Sequence, residues 1–122
     1  MKFAKYTFYT AGIYGLIVLL PQYFLEEKNG RDYPPAINHP EYYYGFVGVA
    51  LAFQIAFLII ASNPVRYRTM MIAGMVEKFS FAIAVYVLFA MGRVASIMVG
   101  LASIDLTLGL LFIVSYLKTN QE

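Results

Sequence analysis

The sequence predicts an all-α polytopic membrane protein, an antiparallel bundle of four transmembrane helices with both termini in the cytoplasm. Of its 122 residues, 61% are hydrophobic and 13% are charged, and the mean hydropathy is +0.66. This is not the composition of a soluble domain. Four apolar stretches each approach the ~20 residues that cross a ~30 Å hydrocarbon core. They leave only short loops, so we expect residues 1–122 to form a single transmembrane domain with no room for a soluble catalytic domain.

The first predicted span covers about residues 4–25. Its apolar part is longer than the central region of a signal peptide, and no small-residue cleavage site follows it, so we expect this segment to be retained. Pro21 lies late in the span, where its ring and its missing N–H should kink the helix or open its last turn. A long loop, about residues 26–41, comes next, and Asn29-Gly30 within it marks a turn.

The second predicted span covers about residues 42–61. Asn38 or His39 is expected to cap its helix, with Pro40 in the first turn, where a missing backbone donor does no harm. His39 is therefore interpreted as a helix-cap residue rather than as a ligand.

The third span covers about residues 66–91, with its helix expected to begin at Pro64. Gly92-Arg93 then makes a tight connection to the fourth span, about residues 94–117. So short a connection predicts that the third and fourth spans form an antiparallel hairpin.

The distribution of lysine and arginine predicts the orientation. Cationic residues are more frequent on the cytoplasmic side of membrane proteins. Five lie near the two termini and the second loop, and three lie on the other side: Lys2, Lys5, Arg66, Arg68 and Lys118 against Lys28, Arg31 and Arg93. This count predicts a multi-pass protein with both termini in the cytoplasm and the loop 26–41 on the opposite, periplasmic face.

Several classes of function are excluded by composition. The absence of cysteine excludes thiol chemistry, and the single histidine, His39, cannot ligate a haem from two sides. No metal-ligand spacing, phosphate-binding loop or nucleophile motif is present, and no basic run outside the membrane indicates nucleic-acid binding. We therefore predict no cofactor, no metal and no catalytic residue, and assign no enzyme activity.

Three charged residues lie deep within the predicted spans, away from the span ends: Glu77, Lys78 and Asp105. Such residues are costly in a membrane and need an explanation. Lys78 precedes Gly92 by fourteen residues and Asp105 follows it by thirteen, so the two lie at nearly equal depth. Gln54 and Tyr14 also fall near mid-membrane, so a polar group from every helix can converge on one layer. The predicted ligand-binding residues are therefore Glu77, Lys78, Asp105, Gln54 and Tyr14.

Helical spacing refines this layer. Glu77 shares a face with three small residues and is predicted to point inward on that face, which comprises Ala73, Glu77, Ser80 and Ala84. In the fourth span, a stripe of small and polar residues lies opposite Asp105: Ser96, Gly100, Ser103 and Thr107. Two protein-facing sides on one helix predict a homo-oligomer or a partner membrane protein.

The charges have two interpretations that the sequence leaves open. In one, Lys78 and Asp105 are a buried ion pair, and Gln54 is part of the polar contacts that fix helix register. In the other, Glu77 lacks a cation because Lys78 serves Asp105, and it is a protonatable group in a cavity that holds a cationic or hydroxyl-bearing ligand. Whether Lys78 pairs with Glu77 or with Asp105 also stays open.

The chain resembles uncharacterised small four-span bacterial inner-membrane proteins. The resemblance covers nearly the whole chain and rests on four segments: Pro34-Pro35-Ala36, His39-Pro40-Glu41-Tyr42-Tyr43-Tyr44-Gly45-Phe46, Asn63-Pro64-Val65-Arg66-Tyr67-Arg68 and Glu77-Lys78-Phe79-Ser80. In architecture the chain is also similar to the DoxX-like membrane proteins, in length and in the charged residues inside the bundle. It differs from small multidrug exporters, whose essential carboxylate lies in the first span.

Three functions are compatible with these features. The first is binding of a membrane lipid or another small amphipathic ligand in a mid-membrane polar pocket. The second is an accessory or assembly subunit that docks on a larger membrane complex. The third is a proton-coupled small transporter or a membrane-embedded isomerase with Glu77 or Asp105 as acid and base.

Overall fold

A computed structural model describes residues 2–119, and in this range the protein is all-helical, with no strand. The elements are α1 (Lys2–Leu19), a 3-10 helix (Leu20–Phe24), α2 (Glu26–Asp32), α3 (Pro40–Ser62), α4 (Met70–Ala90) and α5 (Ser96–Lys118). Four of these described helices are long and apolar enough to cross a membrane, namely α1 with its 3-10 extension, α3, α4 and α5.

The outer surface of the helices is apolar. Ile17 is 69% exposed, Val76 62% and Leu110 52%. Such a surface is unfavourable in water and suits contact with lipid. The four long helices and this surface together indicate a multi-pass membrane protein.

Pro21 ends the first helix as predicted. α1 stops at Leu19, and the chain continues as a 3-10 helix that has Pro21 in its first turn. The change of helix type is the expected result of a residue that lacks the N–H for an α-helical hydrogen bond.

Asn29-Gly30, predicted to form a turn, lies instead inside the short helix α2. The Asn29 backbone N–H donates to the Leu25 carbonyl, 2.8 Å away. Ion pairs at i, i+4 spacing join Lys28 to Asp32 and Arg31 to Glu27 along its surface. The turn signal of Asn-Gly is therefore outweighed by charge pairs that each favour a helical turn.

α3 begins as predicted and α4 does not. Pro40 is the first residue of α3 and His39 its N-cap, although the His39 side chain makes no capping hydrogen bond. α4 was expected from Pro64 but begins at Met70. The intervening residues form turns, in which the Met70 N–H donates to the Tyr67 carbonyl three residues earlier, 3.0 Å away.

Gly92 turns the chain between α4 and α5 as predicted, but the connection comprises residues 91–95, because α5 begins at Ser96 and not at about Val94. Gly92 has φ of 72°, a left-handed conformation that glycine adopts at little cost. Its N–H donates to the Phe89 carbonyl at 2.9 Å, and the Arg93 N–H donates to the Leu88 carbonyl at 2.8 Å. These two bonds form a Schellman motif, which satisfies carbonyls at the end of α4.

Three phenylalanine rings fill one half of the bundle. Phe8 of α1 stacks on Phe112 of α5 with 4.1 Å between centroids, and Phe57 of α3 meets Phe112 edge-on at 5.0 Å. All three side chains are fully buried. Large interlocked rings leave little free volume, so this half, called here the aromatic half, is solid.

The other half of the bundle is less tightly closed. α1 packs along α3 and also contacts α5, α4 packs along α5, and α3 and α4 touch over a short stretch only. The buried cluster in this half is small, comprising Ala82, Val85 and Ala102. The short α3–α4 contact, called here the α3–α4 seam, leaves room for a cavity between the aromatic half and the loops.

Candidate functional site

The three intramembrane charges form one cluster. Lys78 Nζ lies 3.3 Å from Asp105 Oδ1 and 3.6 Å from Glu77 Oε1. The side chains are 4% (Lys78), 16% (Asp105) and 18% (Glu77) exposed, so all three are largely desolvated. Only the contact with Asp105 is a hydrogen bond. Lys78 therefore serves both carboxylates, with the closer contact to Asp105.

This cluster rests on the aromatic half. Lys78 Nζ lies 5.3 Å from the centroid of the Phe57 ring, within the range of a cation–π contact. The Lys78 ammonium thus contacts the face of the Phe57 ring and the two carboxylates of Glu77 and Asp105. Its neighbours account for the burial of an ammonium group that would otherwise be costly in the membrane.

The helical-face prediction for α4 is wrong for Ser80 and Ala84, whereas Glu77 is largely buried, in agreement with its predicted inward position. The buried residues of α4 are Met71, Gly74, Lys78, Ala82 and Val85, whereas Ser80 and Ala84 are exposed. α4 turns its Gly74–Lys78–Ala82 face inward because Gly74 allows close contact with the rings of Phe57 and Phe112. Glu77 lies at the edge of this face, beside the α3–α4 seam.

Gln54 is the most deeply buried polar residue of α3, with 2% exposure. Its Nε2 donates to the Ala50 carbonyl at 2.7 Å, which orients the amide, because the flipped form would place two oxygens together. Gly15 of α1 makes room for this side chain, since a Cβ there would overlap it. Within residues 2–119, Oε1 of Gln54 and Oε1 of Glu77 are buried without a hydrogen-bond partner.

A cavity of about 900 Å³ lies above the charge cluster. It extends from the charges to the loops that precede α3 and α5, and its walls come from all four long helices. The five residues predicted from the sequence all line it: Tyr14, Gln54, Glu77, Lys78 and Asp105. The structure thus brings the predicted residues together around one space.

Several polar residues at the loop end of the cavity were not predicted as site residues. They include Asp32 and Arg93 and a hydrogen-bonded group of Gln22, Asn29 and Tyr43. Tyr43 donates its hydroxyl to the Gln22 carbonyl at 2.8 Å, and Asn29 Nδ2 donates to Gln22 Oε1 at 2.9 Å and to Tyr43 Oη at 3.1 Å. This network joins the 3-10 helix, α2 and α3 beside the cavity. The polar side chains of Gln22 and Asn29 could have indicated a polar site near the loop. Their hydrogen bond, however, depends on α2, a helix that was not predicted.

A second, smaller cavity of about 240 Å³ lies on the other side of the α3–α4 seam. Four residues line both cavities: Phe46, Ala50, Glu77 and Phe81. The rings of Phe46 and Phe81 stack with centroids 6.2 Å apart. These two stacked rings therefore form a boundary that both cavities share.

Elsewhere in the part of the chain that the structure describes, the polar side chains do not form a second site. His39 Nδ1 lies 3.4 Å from Glu41 Oε2 and its ring stacks on Tyr42, on the exposed surface. Over the described range, 2–119, no group of three or more His, Cys, Asp or Glu side chains could hold a metal ion. Ser103 and Thr107 face outward, and their hydroxyls donate to carbonyls of α5 itself.

Comparison with protein-family models, with curated proteins and with solved structures finds no significant match. Function is therefore inferred from the cavity and the residues around it.

Proposed function

We propose that this protein binds a lipid-like or amphipathic ligand in the 900 Å³ cavity. The observation that carries the proposal is the junction of an apolar cavity with a buried charge cluster. The volume lies within the ~300–1,000 Å³ of typical ligand pockets, which are mostly apolar with a few convergent polar groups. Here the apolar part would hold the chain of the ligand, and Glu77, Gln54 and Tyr14 would hold its polar group.

The proposal includes an antiparallel bundle in the bacterial inner membrane, with both termini in the cytoplasm and an architectural likeness to DoxX-like proteins. Contacts along α4 and α5 support the antiparallel pairing, because Arg68 Nε donates to the Tyr116 carbonyl at 2.9 Å while Lys78 meets Asp105. The count of five cationic residues against three supports the orientation.

The orientation is tested by cysteine labelling, since the natural chain has no cysteine. Glu27→Cys in α2, whose native side chain is 89% exposed, is expected to react with a membrane-impermeant maleimide in intact cells. Lys5→Cys is expected to react only after the membrane is opened. The reverse pattern would refute the orientation.

Ligand binding is tested by native mass spectrometry of protein extracted in a mild detergent. Leu101→Trp fills the cavity without changing a charge, and Leu110→Trp adds the same volume on the exposed side of α5. We expect a co-purified small molecule in the wild type and in Leu110→Trp, and its loss in Leu101→Trp and in Glu77→Gln. Equal occupancy in the two tryptophan variants would contradict the proposal.

The alternative functions give different results in the same experiment. An accessory subunit would retain a stoichiometric protein partner in the wild type and in all three variants. A proton-coupled transporter or isomerase would also lose its substrate in Glu77→Gln, and in addition would show uptake or turnover of that substrate in reconstituted vesicles. A protein that only binds a ligand would show neither a stoichiometric protein partner nor uptake or turnover of a substrate.

A further inference from the structure

We propose that the polar group of the ligand is a protonated amine, so that the cavity selects an apolar chain carrying an ammonium group. This inference deepens the proposed function and rests on it. It follows from the balance of charge at the base of the cavity, from the acceptors that lack donors there, and from the aromatic walls.

The base of the cavity has an excess of negative charge. Among the described residues it holds two carboxylates, Glu77 and Asp105, and one ammonium, Lys78. Lys78 makes its hydrogen bond with Asp105, and its 3.6 Å separation from Glu77 Oε1 is too long for a second one. A second ammonium beside Glu77 would balance the charge, whereas a carboxylate or phosphate would add to the excess.

Two acceptors at the base have no donor. No side chain or backbone group in the described part of the chain donates to Gln54 Oε1 or to Glu77 Oε1, and a buried acceptor without a donor is costly. Gln54 Oε1 packs against Gly15 and is closed to the cavity. Glu77 lines the cavity and keeps 18% of its side chain exposed, so its carboxylate is the acceptor that a ligand can reach. An ammonium group has three N–H donors and no acceptor, as a lysine side chain does. It therefore satisfies acceptors without adding another, whereas an alcohol brings one donor and no charge.

The aromatic walls of the cavity suit a cation as well. Phe46 and Phe81 lie beside Glu77, and Tyr33 and Tyr43 lie at the loop end. Five aromatic residues line the cavity in all: Tyr14, Tyr33, Tyr43, Phe46 and Phe81. Aromatic faces attract ammonium groups through their quadrupoles, most strongly where water is excluded. The Phe57 ring already makes this contact with Lys78 from the other side of the charge cluster. Carboxylate and aromatic groups together are the chemistry that recognises an amine.

The test compares three probes of equal chain length: dodecylamine, dodecanol and dodecanoate. The protein carries Leu101→Cys in nanodiscs of phosphatidylcholine, and the alkylation rate of the introduced cysteine by N-ethylmaleimide reports occupancy of the cavity. Dodecylamine is protonated at pH 7, as a lysine side chain is. Leu110→Cys, on the exposed side of α5, is the matched control for probes that only enter the bilayer.

We expect dodecylamine to slow the alkylation of Leu101→Cys saturably, at a concentration at least about tenfold lower than dodecanol, with no protection of Leu110→Cys. Dodecanoate should protect least. Adding Glu77→Gln should remove the advantage of dodecylamine over dodecanol. Nanodiscs with phosphatidylethanolamine distinguish the source of the amine, since protection without an added probe identifies the bilayer lipid and protection only by dodecylamine identifies a free amine.

Two results overturn the inference. Protection of Leu101→Cys by dodecanol or dodecanoate at the same or a lower concentration than dodecylamine leaves the cavity as a ligand site and refutes the amine. A preference for dodecylamine that persists in Glu77→Gln also refutes the inference. If that variant does not fold, the order in which the three probes protect Leu101→Cys decides whether the ligand is an amine. Absence of specific protection by every probe refutes the proposed function as well.

Discussion

Lys78→Met is expected to destabilise the protein strongly, because it leaves two carboxylates buried together without a cation. At separations of 3.3 and 3.6 Å, Coulomb's law with an effective dielectric constant of about 20 gives about 5 kcal/mol of attraction for each pair. Much of this offsets the desolvation of the ions. Removal of one partner from a buried ion pair therefore costs about 3–5 kcal/mol rather than the sum of the attractions.

Asp105→Asn is expected to cost less, because Lys78 keeps Glu77 as a counter-ion. The double variant should be less destabilised than the sum of the single variants by about 0.5–3 kcal/mol, the range for residues in direct contact. Lys28→Met is the matched control. Its ammonium pairs with Asp32 on α2 but is 58% exposed, so its loss should change stability by no more than ~1 kcal/mol.

The free energy of unfolding is measured by circular dichroism during titration of SDS into dodecyl maltoside micelles. Equal stabilities of Lys78→Met and Lys28→Met would refute the reasoning, since the buried cluster would then contribute no more than an exposed pair. Additivity of Lys78→Met and Asp105→Asn would show that the two groups are not coupled, and the geometry of the cluster would be wrong.

The same unfolding measurement tests two further features. Gly15→Ala should destabilise the protein by about 1–3 kcal/mol, because a Cβ there overlaps Gln54. Gly100→Ala, with open space around its Cα, should be neutral or should stabilise the protein by up to ~1 kcal/mol, and an equal loss in both variants would refute the steric argument. Phe112→Ala should cost about 3–5 kcal/mol through the cavity it leaves. Leu110→Ala, on the exposed side of α5, should stay within about 0.5 kcal/mol, and a similar loss in both would contradict a solid aromatic half.

The sequence was sufficient for the four long helices because the hydrocarbon thickness imposes a minimum apolar length. Pro21 and Gly92 also act locally, through a missing N–H and a tolerance of positive φ, so the ends they produce were predictable. α2 was missed because Asn29-Gly30 favours a turn only where charge pairs do not oppose it. The late start of α4 at Met70 reflects turns with i to i+3 hydrogen bonds, which the Pro64 signal does not distinguish from an α-helix.

The depth of the site residues was predictable and their orientation around α4 was not. Counting from Gly92 placed Lys78 and Asp105 at one level, because helical rise is fixed at about 1.5 Å per residue. The inward face of α4 depends instead on which side packs best against other helices. Gly74 sets the inward face because two phenylalanine rings pack against it. These rings belong to α3 and α5, so the pattern of residues within α4 does not predict the contact.

The contrast between the two halves of the bundle favours binding over passage across the membrane. A path from the cavity to the other side would have to cross the level of Phe8, Phe57 and Phe112, whose rings are fully buried and 4.1–5.8 Å apart between centroids. Opening this level would separate packed aromatic surfaces. Phe46 and Phe81, by contrast, line both cavities. A ligand that reaches Glu77 through the α3–α4 seam or from the loops would therefore enter and leave without crossing the aromatic half, as expected of a binding protein.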